Sequence, residues 1–420
     1  MKNRAPVGIE KIRVYPGTMG IDMKTLVEDR GGNVGEVTGQ MMITERTVNP
    51  AWEDPITMAV NAGKDLLAGE DKGNIKLLLV GTESGPDQEK SMSTWVQRYL
   101  DLPDDCRNLE VKHACYAGTG GLQLAATWVL GQLDEDARAL VITADQSRQH
   151  FHRPYEFVMG AGSAAMLVSR KPRFLELEPG LSGIFTHEVS DLTRPTSRIE
   201  AGHSETSLLS YLDAVDISFQ RYLEKVEKYH GERPKTLDEL RAWLPHHIYH
   251  APFGGITERA HRAVMRLFEG FTGKAVRADF EERVVPTLRH NRKMGGTYAS
   301  SVFISMLGLV DSFGESVTGR RVGIYSYGSG SCAEFYSGRF GEGAVAEARA
   351  AAVGSKLAER KMLSVRGYEE AERERTCWTD SGDFKCSLDG HDGWYDQRYR
   401  GKGLLTFRGV EDFVRQYAWS

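Results

Sequence analysis

The 420 residues predict an α/β protein made of two similar halves, with their central helices back to back. Three observations carry that prediction. Short, almost wholly apolar stretches such as Ile75–Val80 and Val322–Tyr327 read as strands covered on both faces. Two longer segments, Cys115 to Leu133 and Thr297 to Val310, contain no formally charged side chain and read as buried helices. The order of features also repeats. Glu83 and His250 each follow an apolar strand and stand 167 positions apart, and the glycine turns opened by Gly160 and Gly328 are 168 apart. Two unrelated α/β domains are the alternative.

The first strand is expected at Ile9–Tyr15, stopped by Pro16-Gly17. Ala51–Gly69 places Ala59, Ala62, Leu66 and Leu67 on one side of a helix. The strand Ile75–Val80 breaks at Gly81-Thr82-Glu83-Ser84-Gly85, and Leu109–Ala114 runs as a strand into a turn at Cys115. A strand at Ala139–Thr143 ends at Asp145, and the turn Gly160–Ser163 leads into another at Ala164–Ser169. In the second half, Asp213–His230 and Arg233–Ala242 are expected helices, and His247–His250 is a strand broken by Pro252. The strand Val322–Tyr327, the turn Gly328–Ser331 and the stretch Cys332–Tyr336 follow. The division expected is 1–170 with Glu83 and Cys115, and 171–420 with His250. Within the latter, 340–420 reads as an appendage, helical and charged over Glu342–Arg373 and rich in turns over Gly382–Gly409.

At 40% hydrophobic and 26% charged residues the composition is that of a soluble globular chain, and a net charge of −5 gives no general attraction to nucleic acid or membrane. Met1–Ile9 has no charged-then-apolar leader and no apolar run reaches spanning length, so a cytoplasmic location is expected. Five cysteines are too few and too odd a number for a disulfide framework. Cys377, Cys386 and His391 lack paired C-x-x-C spacing. His246, His247 and His250 follow Pro245 without an H-E-x-x-H pattern, so no metal site is expected.

Cys115 stands at the N-terminal lip of a glycine-rich central helix, where peptide dipoles would favour a thiolate. Alone it is equally a small core residue. Glu83 lies just beyond a buried strand, where ligands gather in doubly covered sheets, and is a candidate general base or a solvated loop glutamate. His250, at a strand tip, can donate to a carbonyl oxygen or be structural. The turn Tyr327–Ser331 can offer N–H groups to an oxyanion. Together cysteine, glutamate and histidine could support acyl transfer to sulfur, deprotonation of the bound acyl methyl and attack on a ketone.

Four ordered motifs, V-G-T-E-S-G (Val80–Gly85), A-C-Y-A-G-T (Ala114–Thr119), Y-H-A-P-F (Tyr249–Phe253) and S-Y-G-S-G-S (Ser326–Ser331), resemble the 3-hydroxy-3-methylglutaryl-CoA synthase family over nearly the whole chain. The resemblance implies a thiolase-like, duplicated αβαβα fold, a homodimer, and no metal or organic cofactor. It implies that Cys115 is acetylated, that Glu83 makes the acetyl enolate, and that His250 holds and protonates the acceptor's β-carbonyl oxygen. Backbone N–H groups of Cys115 and Ser329 would supply oxyanion contacts. Asp145, Ser207 and Tyr298 would lie near the substrate.

Two departures are informative. Gly255 stands where members using coenzyme A carry a lysine, and Gly296 stands where the family carries an asparagine. The first resembles the polyketide β-branching branch, whose substrates ride as phosphopantetheine thioesters on acyl-carrier proteins: an acetyl-loaded donor and a β-ketoacyl acceptor. Such partners are acidic, and Arg289, Arg292 and Lys293, or Arg320 and Arg321, are candidates for a basic rim. Gln146–Val158 is unusual for the family, which leaves the donor acyl group open. The coenzyme A enzyme and a catalytically silent assembly partner are the other readings.

Overall fold

Alternation along the strands decides the architecture. The computed structural model describes residues 5–420, so residues 1–4 of the stretch read above for a leader lie outside it. The first half holds strand β1 (Gly8–Tyr15), helix α1 (Pro55–Leu66), strands β2 (Ile75–Gly81) and β3 (Arg107–Val111), helix α2 (Ala117–Leu130), and strands β4 (Arg138–Gln146) and β5 (Ala161–Ser169). The second half holds strand β6 (Leu175–Thr186), helix α3 (Ser204–His230), strand β7 (His246–Tyr249), helix α4 (Ser301–Phe313), and strands β8 (Arg321–Gly328) and β9 (Cys332–Phe340).

Side chains on a strand point alternately to its two faces. In β4, Ala139 and Val141 enter the central core, while Leu140, Ile142 and Ala144 enter a core on the opposite face beneath α1. In β8, Val322 and Ile324 enter the same central core, while Tyr325 and Tyr327 pack outward with Tyr211, Val215 and Phe219 of α3. The central core holds Leu122, Ala125 and Val129 of α2 together with Val302, Phe303 and Leu307 of α4. The layers are therefore helix, sheet, paired central helices, sheet, helix.

The pairing repeats between halves. Strand β2 is parallel to β4, β4 antiparallel to β5, and β5 antiparallel to β1. Correspondingly β7 is parallel to β8, β8 antiparallel to β9, and β9 antiparallel to β6. Strands β1 and β6 join the halves through Gly8↔Glu176 and Ile9↔Leu175, giving one nine-stranded sheet in the order β7-β8-β9-β6-β1-β5-β4-β2-β3. Under this twofold relation the exits of β2 and β7, which carry Glu83 and His250, are equivalent. Strand β3 has no counterpart.

Several expectations shift. Helix α1 starts four residues later than expected, because Asp54 caps it by accepting from the Thr57 N–H at 2.8 Å and Pro55 fits the first turn. Helix α3 begins at Ser204, nine residues before Asp213, since the polar run before Tyr211 hides its apolar stripe. Strand β6 was not expected, its pattern being broken by Pro179-Gly180. Helix α2 is not enclosed all round, with Leu124 57% exposed. Residues 340–420 fold back onto the body. Ala344 and Ala348 enter the central core, and Leu405 packs beneath α1. Arg415 and the Tyr417 hydroxyl both donate to the buried Asp54 carboxylate at 2.6 Å.

Candidate active site

Glu83 leaves β2 at the carboxyl end and its backbone is held on both sides. Its N–H donates to Asp145 Oδ1 at 2.9 Å, and its carbonyl accepts from Arg194 Nη1 at 2.7 Å. The carboxyl is then left facing the Cys115 thiol, with Sγ 3.5 Å from Oε2. Cys115 lies in a tight turn in which Ala114 adopts φ +43°, a left-handed conformation that non-glycine residues adopt at a cost. Gly328, at the end of β8, packs against this turn. A Cβ there would lie 2.4 Å from the His113 carbonyl oxygen and 2.6 Å from the Tyr116 nitrogen. Glycine thus allows the second half to bring Ser329, part-buried, to the edge of the nucleophile turn.

Asp145 is fully buried at the end of β4. Its Oδ1 accepts from the Thr82 hydroxyl at 2.9 Å and the Ser84 hydroxyl at 2.8 Å besides the Glu83 N–H, and Oδ2 faces the Ala299 N–H at 3.4 Å. Burial lifts both carboxyls, but these donors pull against it for Asp145, so Asp145 carries the charge and Glu83 keeps the proton. Burial first and the Asp145 charge second push Glu83 up to about 8. The expected thiolate is overturned. Helix α2 starts at Ala117, two residues beyond the cysteine, and burial together with Glu83 and Asp145 holds the thiol well above its ordinary range. The resting pair is a thiol beside a carboxyl.

His250 sits at the equivalent exit of β7, 1% exposed. Its N–H donates to the Tyr325 carbonyl at 2.7 Å and its carbonyl accepts from the Tyr211 hydroxyl at 2.8 Å. Nδ1 lies 2.6 Å from Ser301 Oγ, which faces the Ala251 N–H at 3.4 Å. A serine hydroxyl so placed can give its proton to Nδ1, which is the tautomer that puts the imidazole proton on Nε2. Nε2 has no partner among the described residues, and burial pushes the ring down to about 3, so it stays neutral. Tyr327 donates to Asp191 Oδ2 at 2.9 Å, with Ser210 Oγ 2.8 Å from its hydroxyl, and its ring lies 5.4 Å from that of Tyr211.

A cavity of about 360 Å³ opens beside Glu83 and Ala114, lined also by Arg148, Leu192, Arg194 and Glu200. Leu192 also borders a second cavity of about 890 Å³, where Ser207 lines the wall with Met42, Tyr155, Met159 and Phe253. Ser207 is thus placed on the approach and not beside the thiol. Tyr298 is buried, donating to Glu200 Oε1 at 3.3 Å. Glu200 is a hub absent from the sequence reading. It pairs with Arg194 at 3.1 Å and with His150 Nε2 at 3.0 Å, and against its burial these partners hold it down at about 2. The charged residues between Gln146 and Val158, and the T-R-P segment at Thr193–Pro195, were the available signals for this cluster.

The expected rim residues line neither cavity. Arg321 is committed to Glu178 through two 2.8 Å bonds and lies over the Trp243 ring, Lys293 stands 3.5 Å from Glu45, and Arg289 donates to the Asp311 carbonyl. Arg259 and Arg262, exposed on the helix Ile256–Met265, rim the larger cavity instead. At Gly255 a Cβ would lie 1.9 Å from the Gln40 carbonyl oxygen, so the close backbone contact leaves no room for a lysine. At Gly296 a Cβ would be squeezed between the Pro252 and Val158 carbonyl oxygens, at 3.0 and 3.3 Å.

Two related α/β halves, with a thiol and a carboxyl in contact at the exit of one and an imidazole at the matching exit of the other, define an acyl-condensing enzyme of thiolase-like fold. Residues 264–395 match the family model described as hydroxymethylglutaryl-coenzyme A synthase C terminal. The polyketide-biosynthesis 3-hydroxy-3-methylglutaryl-ACP synthase PksG of Bacillus subtilis is 35% identical over 375 residues, covering 86% of this chain and 87% of that protein. The hydroxymethylglutaryl-CoA synthase of Enterococcus faecalis is 29% identical, covering 86% and 90%. The HMG synthase of the curacin biosynthetic pathway, solved in complex with acetyl donor-ACP, superposes with a TM-score of 0.91 at 34% identity over 99% of this chain and 100% of that one. The chain belongs to the hydroxymethylglutaryl-CoA synthase family. Among the described residues, no helix is long and apolar enough to cross a membrane.

Proposed function

We propose that this enzyme takes an acetyl group from an acyl-carrier protein onto Cys115 and adds it to the β-keto carbon of an acyl chain on a second carrier protein. The ionised form of Glu83 takes the thiol proton as sulfur attacks the incoming thioester, the bond from the acyl carbon to the phosphopantetheine sulfur breaks, and Glu83 passes that proton to this sulfur, which leaves as a thiol. Ionised again, Glu83 removes a proton from the acetyl methyl, and the enolate carbon bonds to the acceptor's carbonyl carbon. His250 Nε2–H gives its proton to the alkoxide. Water then cleaves the Cys115 thioester, freeing a 3-hydroxy-3-carboxymethyl acyl product. The carrying observation is the 3.5 Å contact between the Cys115 thiol and Glu83, with the unpartnered His250 Nε2 at the equivalent exit of the other half.

Three further observations support carrier proteins as partners. Gly255 removes the lysine that would meet a nucleotide phosphate. Arg259 and Arg262, without an ion-pair partner among the described residues, offer positive charge at the mouth of the larger cavity. The PksG relative, at 35% identity, is a 3-hydroxy-3-methylglutaryl-ACP synthase, and the curacin enzyme was solved with its donor carrier. No metal or organic cofactor is needed for these steps. A homodimer fits the exposed Leu109 and Leu124, on edge strand β3 and the adjacent α2. The test is to incubate the protein with acetyl-loaded carrier protein and a β-ketoacyl-loaded one and weigh both proteins. Efficient turnover with both substrates as coenzyme A esters would assign the coenzyme A reaction instead. An acetyl adduct that persists in Cys115→Ser would overturn the nucleophile.

A further inference from the structure

Arg148 is a buried cation whose guanidinium has no ion-pair partner among the described residues. It is 8% exposed and lines the cavity beside Glu83. Its side chain makes no ion pair or hydrogen bond among the described residues, and its Nε is buried without a partner. Its neighbours make this costlier. Arg194 and Arg375 both press like charge upon it, and their own carboxylates are taken, Glu200 by Arg194 and His150, Glu372 by Arg375 at 2.6 Å. Glu200 reaches the Arg148 backbone N–H at 3.5 Å, not its guanidinium. Burial first and then the two arginines pull the guanidinium down to about 10, against a smaller opposing pull from the Glu200 charge, so an anion in the cavity would relieve it. Of the other cavity groups, Lys112 is exposed, and Glu110 accepts from the Met92 N–H at 2.6 Å. Glu83 keeps its proton at neutral pH, so it does not repel an incoming anion strongly.

We propose that Arg148 is a specificity-determining residue that holds a carboxylate of the acyl group in the cavity beside Glu83. A planar guanidinium without a protein partner suits bidentate recognition of a carboxylate. Two sources supply one. When water cleaves the Cys115 thioester, its oxygen bonds to the acyl carbon, the C–S bond breaks, sulfur regains a proton, and the new carboxyl group loses its proton to solvent. Alternatively the acceptor chain ends in a carboxylate. The inference rests on the proposed condensation, yet its first test does not need turnover.

Glutarate and its uncharged diamide are compared as protectants of Cys115 against iodoacetamide, read by intact mass, in wild type, Arg148→Gln and Arg148→Lys. Glutarate is expected to protect wild type and the diamide not to. Arg148→Gln is expected to need at least about 10-fold more glutarate, and Arg148→Lys to fall between the two. Equal protection in wild type and Arg148→Gln, or none in wild type, overturns the proposal. With loaded carrier proteins and an uncharged acceptor, a condensed acyl group accumulating on Cys115 in Arg148→Gln assigns the released carboxylate. Slowing confined to acceptors ending in a carboxylate assigns the acceptor, and normal turnover with both overturns the role. If wild type takes no acetyl group from any donor, the proposed condensation fails while the glutarate result still decides Arg148.

Discussion

Asp145→Asn tests whether a second, charged carboxylate sets the working pH of the base. Glu83 must be ionised to take a methyl proton, and it is protonated below about 8. Proton abstraction should therefore rise as pH climbs through that value. The asparagine keeps an oxygen for the Thr82, Glu83 and Ser84 donors and removes only the charge and the weaker acceptor facing the Ala299 N–H. Two unit charges ~6 Å apart at an effective dielectric of ~20 interact by ~3 kcal/mol, worth about two pH units. Burial, the larger contribution to the raised value, survives the substitution, so Glu83 stays above its ordinary range while the limb moves down by up to about two pH units. The assay is hydrogen–deuterium exchange of the acetyl methyl on loaded Cys115, followed by mass across the pH range without any acceptor present. A limb that stays in place, or a rate that drops by the same factor at every pH, would refute the electrostatic role and leave Asp145 as a positioning residue.

Glu83→Gln should slow the loading of Cys115, whose proton Glu83 takes, yet leave the acetyl adduct standing once it has formed, while condensation falls by about 10²–10⁴-fold, measured as product formed per loaded enzyme. Ser301→Ala removes the hydroxyl that fixes the His250 tautomer. Acceptor turnover should drop about 10-fold or more with Cys115 loading preserved, and unchanged acceptor kinetics would dismiss the assigned proton position. Gly255→Lys should lower the melting temperature by several degrees, because its Cβ collides with the Gln40 carbonyl, without improving use of coenzyme A thioesters. Arg415→Met leaves the buried Asp54 carboxylate without its cation and should cost about 3–5 kcal/mol in urea unfolding, a loss that a surface ion pair would not give.

Strands buried on both faces were legible because apolar residues dominate them: Ile75–Val80, Ala139–Thr143 and Val322–Tyr327 all lie inside observed strands. The contact of Glu83 with Cys115 could be anticipated from two chain breaks beside neighbouring elements. The protonation of that pair could not, because it depends on how many donors reach Asp145 from Thr82, Ser84 and Ala299, which are scattered through the sequence. Strand β6 escaped notice since Pro179 and Gly180 interrupt it, although its register with β9 shifts there and resumes. Glu200 and Arg148 stayed hidden for a related reason. A lone charge in a loop reads as solvated until folding surrounds it.

Within the nine-stranded sheet the two halves pair at Gly8 and Ile9, and the central helices of both halves nest in one core beneath that seam. At that contact Gly118 comes so near that a methyl group would sit 2.6 Å from the Ala299 carbonyl oxygen and 2.7 Å from the Phe303 ring. Sulfur and carboxyl ride on one half and imidazole on the other. The span that an acceptor carbonyl must bridge thus depends on a close approach at a side chain of one hydrogen, three residues along the chain from the nucleophile.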